Sequence, residues 1–269
     1  MNYSYNHYKL HNDPLSLVLC QIKFSKVRRM PEFITQIHDL LRREGFPEDV
    51  SATVQQIVIT PGNPPEIIER KQDEFRSKDN SWSLTIGEDM LVLVTTAYDR
   101  FEGFAKRLKR CLEIVDKVAE IHHGSINRIG LRYVDVINPA PDETFRSYLQ
   151  ESLHGPKSLV FTDSNHWLHL ESVGRTASGT MIVRITQNDQ GMVLPPDIIH
   201  KPMSHKMKIA PGNLITLVDT DHYVEGSWDF DLESIMNTTN ELHEAINAAW
   251  FNDLITPKAL ERWRAERDN

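Results

Sequence analysis

Ile126-Asn127-Arg128-Ile129-Gly130-Leu131-Arg132-Tyr133-Val134-Asp135-Val136-Ile137-Asn138 is the stretch on which the architecture turns. Its β-branched and aromatic content predicts one long strand. The preceding segment, about 100–121, repeats Phe101, Phe104, Leu108, Leu112, Val115, Val118 and Ile121 every three or four residues. That period predicts a long amphipathic helix, with Asp99 as its N-cap and Gly124 as its stop. Side chains alternate faces along a strand. Arg128, Gly130, Arg132 and Val134 therefore share one face, and Ile129, Leu131, Tyr133, Asp135 and Ile137 the other. On that apolar face Asp135 must find a partner or surrender its charge. Two readings stay open. One is a structural network engaging Tyr133 or a nearby basic group. The other is an anion pocket in which Arg128 and Arg132 grip a carboxylate or phosphate, which suits the arginine fork.

Upstream, Leu15–Phe24 alternates as a first strand, and Pro31 opens a helix that Gly45 ends. Ala52–Thr60 predicts a strand. The polar run 61–79, opened by Pro61-Gly62-Asn63-Pro64-Pro65, predicts a mobile loop. Trp82–Ile86 and Leu91–Ala97 form a hairpin around Gly87-Glu88-Asp89. Downstream, a short helix is expected from 142 to 153, strands at 167–173 and 180–186, and a long arm over 188–212. Two paired strands, 214–221 and 223–230, follow. A helix from 232 to 254 and a last one from Pro257 complete the pattern. Antiparallel strand runs separated by helices give an α+β class, mostly antiparallel sheet with two long helices. The natural cut makes two halves, 14–138 and 142–269. Both place a hairpin before a long helix, which suggests a pseudo-duplication. A single continuous domain remains the alternative.

At 269 residues the chain can bury a large core, and its 40% hydrophobic and 25% charged content is that of an ordinary globular protein. The longest apolar run, Met90–Val94, is too short to span a bilayer, and the N-terminus carries no signal-peptide pattern, so no membrane is expected. Cys20 and Cys111 have no framework spacing and read as buried reduced thiols, with a cytoplasmic compartment following. The net charge of −8 disfavours nucleic acid, although Lys106, Arg107, Lys109 and Arg110 cluster on the long helix.

No motif for chemistry stands out. His122 and His123 are adjacent at a helix end, where a cationic imidazole suits the helix dipole. His166, His169, His200 and His205 make no zinc spacing, so neither metal nor cofactor is expected. Asp219 and Asp221 share a strand face and read as solvated carboxylates. His243, mid-helix among Leu242, Ile246 and Trp250, reads as a packing residue. There is no GxSxG, no GxGxxG and no P-loop. The low-ranking candidates for anion or partner binding are thus Arg128, Arg132, Tyr133, Asp135, His122 and His123, and no residue is assigned as catalytic.

Three blocks carry a resemblance: Asp13-Pro14-Leu15, then Arg128-Ile129-Gly130-Leu131-Arg132-Tyr133-Val134-Asp135, and finally Leu242-His243 leading to Phe251 and Leu254-Ile255-Thr256. They resemble a sporadically distributed bacterial family of conserved hypothetical proteins of about this length. The resemblance implies a bacterial intracellular protein on variable genomic segments, and by analogy a mobile-element or defence setting. It brings no assigned activity and no catalytic residues. The leading expectation is a non-enzymatic binding or regulatory protein. It would recognise another protein through sheet edges, the 188–212 arm and exposed aromatics. The alternative is an RNA-processing or nucleotide-binding protein with paired ferredoxin-like halves, for which His122, His123, Arg128 and Arg132 are the place to look. A homodimer stays open.

Overall fold

A computed structural model describes residues 13–58, 66–155, 167–198, 203–204, 209 and 212–264. It is an α+β protein, with ten strands and two long helices among the described residues. The described residues divide into two compact units. The first takes its residues from Met1–Val18, Gly130–Val224 and Asn237–Asn269; the second from Leu19–Ile129 and Glu225–Met236. Each unit is drawn from more than one stretch of the sequence.

The second unit holds most of β1 (Leu15–Phe24), α1 (Met30–Leu41), β2 (Glu48–Asp49), β3 (Ala52–Val58), β4 (Glu66–Arg76), β5 (Trp82–Ile86), β6 (Met90–Thr95) and α2 (Phe101–Ala119). Its strands follow the order β2–β4–β5–β6–β1, with β3 paired to β4. Pro31 stands in the first turn of α1, and Gly45 follows the helix in the left-handed region at φ 92°, where glycine carries no steric penalty. The face of α2 is the one its period predicts: Phe104, Leu108, Leu112 and Val115 are buried, with Cys111 and Ile114 beside them. Val118 is only half-buried. Trp82 of β5 stacks on Phe104 at 6.0 Å, which seats the helix on the sheet. Both thiols are buried, and desolvation pushes Cys111 up to about 12.

Three local expectations in this unit are corrected. The N-cap of α2 falls on Arg100, not Asp99. The helix ends at Glu120, itself left-handed at φ 51°, and a 3-10 turn Ile121–His123 precedes the next strand. Gly124 is needed for a different reason: a Cβ there would stand 2.7 Å from the Ser25 Cβ. The expected loop over 61–79 is mostly β4, hydrogen-bonded to β3, β5 and β2; residues 61–65 lie outside the described residues. Phe75, fully buried and stacked on His38 at 4.5 Å, anchors a strand whose charges had masked it.

The first unit is built on β7 (Ser125–Ile137) from Gly130 onward, β8 (Leu168–Arg175), β9 (Thr180–Asn188) and β10 (Ile215–Asp229) as far as Val224, in the order β7–β10–β9–β8. The two strands expected at 214–221 and 223–230 are one. β10 continues through Asp221-His222-Tyr223, and its ladder with β9 runs unbroken from Ile215 to Tyr223. His222 is buried and bonded to Thr176 and to the Leu242 carbonyl, so a polar-looking dipeptide sits inside the strand. The short helix expected at 142–153 is replaced by two 3-10 turns, Phe145–Ser147 and Glu151–Leu153.

One face of this sheet is covered. α3 (Leu232–Ala249), a π-helical turn Trp250–Leu254 and α4 (Pro257–Arg264) bring Trp250, Leu254, Leu260 and Trp263 onto Ile137, Leu168, Ile185 and Val218. Trp250 stacks on Trp263 at 5.6 Å. The opposite face is capped at one end, where Val193 and Ile209 pack on Val136, Ile215 and Leu217. The described part of the 188–212 arm is therefore seated, with Leu194, Ile198 and Met203 buried. Residues 199–202, 205–208 and 210–211 lie outside the described residues.

Candidate functional site

Alternation along β7 places its side chains as the sequence implies. Arg132 sits on the partly open face and Tyr133 and Asp135 on the helix-covered face. On the open face Arg132 is buried and meets two carboxylates. Its Nε and Nη2 donate to Asp219 at 2.7 and 2.8 Å, and its Nη1 and Nη2 donate to Asp197 at 2.6 and 3.1 Å. Desolvation works against the charge of Arg132, but Asp219 and Asp197 outweigh it and hold the guanidinium more firmly protonated than usual. Burial likewise opposes ionisation of Asp197, and Arg132 overcomes it, leaving the carboxyl below its ordinary range.

The network extends across the strands. β9 pairs Arg184 with Asp219 of β10 and with Glu171 of β8. Arg184 accordingly donates Nη1 to Asp219 at 3.3 Å and Nε to Glu171 at 2.7 Å. Asp219 is thus a buried carboxylate shared by two arginines, not the solvated residue its sequence context implies. This array floors a recess of about 390 Å³. His169 and Thr186 line one side, hydrogen-bonded at 3.0 Å, with Asp221 further along the face. Met192, Pro195 and Pro196 line the other side, and Trp167, 55% exposed, stands at its rim.

On the covered face Asp135 lies fully buried. Burial first, then the charges of Asp13 and Asp219, push its carboxyl up to about 8, while the Trp250 indole lies near enough to oppose the shift. The Trp250 N–H itself lacks a hydrogen bond of good geometry. Of the two outcomes open to a buried aspartate, neutralisation is the one realised. On the same face the Tyr133 hydroxyl meets His243 Nδ1, 2.8 Å away. Asn247 Nδ2 donates to His243 Nε2 at 3.0 Å. That assignment leaves Nδ1 carrying the proton, which it donates to the Tyr133 oxygen. Burial depresses His243 to about 4, so the ring is neutral.

The remaining candidates fall in the second unit. Arg128 belongs to the second unit, where its Nη1 donates to Glu225 at 2.7 Å. His122 and His123 are in that unit too, with His122 Nδ1 2.8 Å from Asp116. His166, His200 and His205 lie outside the described residues, and among the described residues no group of three or more His, Cys, Asp or Glu is placed to hold a metal ion. Two of the four basic residues clustered on α2 are engaged: Arg110 reaches Glu44 and Glu113, and Arg107 lies over Trp82 at 4.3 Å. Sequence reasoning missed Trp167, Arg184 and Asp197. Each comes from a different segment: strand register sets Arg184 opposite Asp219 and so beside Arg132, whereas Trp167 precedes β8 and Asp197 lies in the arm after β9. Among the described residues no helix is long and apolar enough to cross a membrane. No family model matches the chain, and no curated protein matches it.

Proposed function

We propose that this is a non-enzymatic binding protein whose partner is another protein, and that the recess of the first unit with its rim is the contact surface. The observation that carries the reading is the state of the arginines. Arg132 and Arg184 are already answered by Asp197, Asp219 and Glu171, so the recess floor is a fixed, internally paired surface rather than an empty anion grip. At its edge Trp167 is more than half exposed beside Pro195, Pro196 and Met192. An exposed tryptophan bordering a concave, rigid surface has the character of an interface anchor. The bacterial setting and the link to mobile elements or defence rest on the sequence resemblance alone.

The alternative, RNA processing, draws on His122, His123 and the basic residues of α2. The engagement of His122 with Asp116, of Arg110 with Glu44 and Glu113, and of Arg107 with Trp82 weighs against it, as does the net charge of −8. The test is affinity purification of the tagged chain and of Trp167→Ala from the native host, with and without RNase, read by mass spectrometry. A protein enriched by the wild type, resistant to RNase and lost with Trp167→Ala supports the reading. Recovery of RNA with RNase-sensitive proteins, or a partner unaffected by Trp167→Ala, rejects it.

A further inference from the structure

We propose that the outer edge of β8 pairs with β8 of a second copy of this chain, antiparallel and with the two-fold axis at Val173. The inference rests on the β8 edge and not on the recess reading, although Glu171 also bonds Arg184 on the recess floor. Among the described residues β8 ends the strand order of its unit, and every residue from Glu171 to Arg175 is exposed. Val173, at 60%, is the most exposed of the large hydrophobics. Natural edges are usually blunted by proline, lysine, bulges or a covering element. The segment Leu168-His169-Leu170-Glu171-Ser172-Val173-Gly174-Arg175 has no proline and no lysine, and its ladder with β9 contains no bulge.

Backbone geometry restricts the registers. The Thr176 amide donates to the Gly179 carbonyl at 2.8 Å, closing the β8–β9 hairpin. Thr176 therefore points its amide towards β9. Alternation by two aims those of Gly174 and Ser172 the same way, and leaves the N–H and C=O groups of Glu171, Val173 and Arg175 facing outward. An antiparallel partner must meet outward groups with outward groups, so a two-fold can fall only on a residue. At Glu171 it would oppose two like charges. At Ser172 it would set His169 against Arg175 and Val173 against Glu171. At Val173 it sets valine against valine, and each Glu171 against the Arg175 of the other copy. That register is complementary in both apolar contact and charge. A two-fold at Leu170 opposes His169 to Glu171 and leaves Arg175 outside the ladder; one at Gly174 sets Val173 against Arg175 and Glu171 against Ala177; one at Arg175 opposes two like charges.

The test is sedimentation velocity of the full chain over a concentration series, with two variants. Arg175→Glu opposes two pairs of like charges and should weaken self-association by at least about tenfold, while Arg175→Lys keeps the charge and should preserve it. Directly opposed residues in a hydrogen-bonded pair have Cα atoms about 5.5 Å apart, a span that a disulfide bridges. Val173→Cys should therefore oxidise to a covalent dimer, uncontested by Cys20 and Cys111, which are buried, whereas Gly174→Cys should not. A chain that stays monomeric, or a dimer indifferent to Arg175→Glu, overturns the proposal. Trp167→Ala should leave the dimer intact, and Arg175→Glu should leave partner capture intact, so this proposal and the recess reading fail separately.

Discussion

Arg132 and Asp219 meet fork to fork, Nε on Oδ1 at 2.7 Å and Nη2 on Oδ2 at 2.8 Å, with the Asp219 side chain only 3% exposed. Two parallel bonds between charged groups fix both orientation and distance. Asp197, by contrast, is 63% exposed and reaches Arg132 from the rim. The two carboxylates should therefore respond differently to mutation. Arg132→Ala leaves Asp219 buried with Arg184 as its remaining arginine. The expected loss is about 3 kcal/mol, the low end for breaking a buried pair. Asp197→Ala should cost under about 1 kcal/mol, as solvent-screened pairs do. Urea unfolding of the two variants checks the ranking. An Arg132→Ala protein of unchanged stability that lost its partner would instead make this arginine a ligand contact.

Asp135 gives the protein a pH dependence of definite sign. Its folded pKa is about 8, raised chiefly by burial, against about 4 in an unfolded chain. Between those values the unfolded state has lost its proton and the folded state has kept it. Stability therefore falls as pH rises from about 4 to about 8, at a slope of up to about 1.4 kcal/mol per pH unit, and levels off above. Asp135→Asn keeps the shape and removes the titration. The melting temperature of Asp135→Asn should exceed that of the wild type by a margin that widens from pH 5 to pH 8. Parallel pH profiles for the two proteins would show that the carboxyl is not buried in its neutral form.

How much of this was legible in the sequence depends on whether a residue's role is local. The strand β7, the helix α2 and the assignment of Arg132 and Asp135 to opposite faces follow from periodicity, and all are present. β4 was not legible. Its Glu66-Ile67-Ile68-Glu69-Arg70-Lys71-Gln72-Asp73-Glu74-Phe75-Arg76 run is charge-rich, and the ladders on both sides that make it a strand are long-range. Asp219 and Asp221 were recognised as sharing a face, yet no local signal places Asp219 opposite Arg184 or beneath Arg132. The same holds for Tyr133 and His243, whose positions differ by 110. His243 did read as a packing residue, which matches its burial against Tyr133.

That Tyr133–His243 contact has the opposite pH signature. Burial holds His243 at about 4 in the folded protein, below about 6.5 when unfolded. Below about 6.5 the unfolded state gains a proton that the folded state refuses, so stability falls as pH drops towards about 4. His243→Asn removes this acid liability along with the hydrogen bonds to Tyr133 and Asn247. The variant should be less stable than the wild type at pH 7, by about 1–3 kcal/mol, and the gap should narrow steadily towards pH 4.5. Thermal melts across that range give the answer; a gap that stays constant would mean the imidazole titrates freely in the folded state.

The β8–β9 hairpin supplies a steric test of how closely it meets β10. A Cβ added at Gly179 would stand 2.2 Å from the Tyr223 carbonyl oxygen and 2.9 Å from its carbon. Both are backbone atoms, so no side-chain rotation relieves the clash, and the backbone of Gly179 or of β10 must shift. At Gly174, five residues earlier on the edge strand, nothing lies within 4 Å of the same atom. Alanine at Gly174 should be within about 0.5 kcal/mol of neutral, as at an unencumbered surface position. Alanine at Gly179 should cost several times that, by analogy with overpacking, which typically costs about 1–3 kcal/mol. It should also loosen the Tyr223 to Thr180 end of the ladder. Amide hydrogen exchange would register the second effect as faster exchange confined to that end of β9 and β10. Equal stability of the two alanine variants would mean the hairpin does not approach Tyr223 this closely in solution.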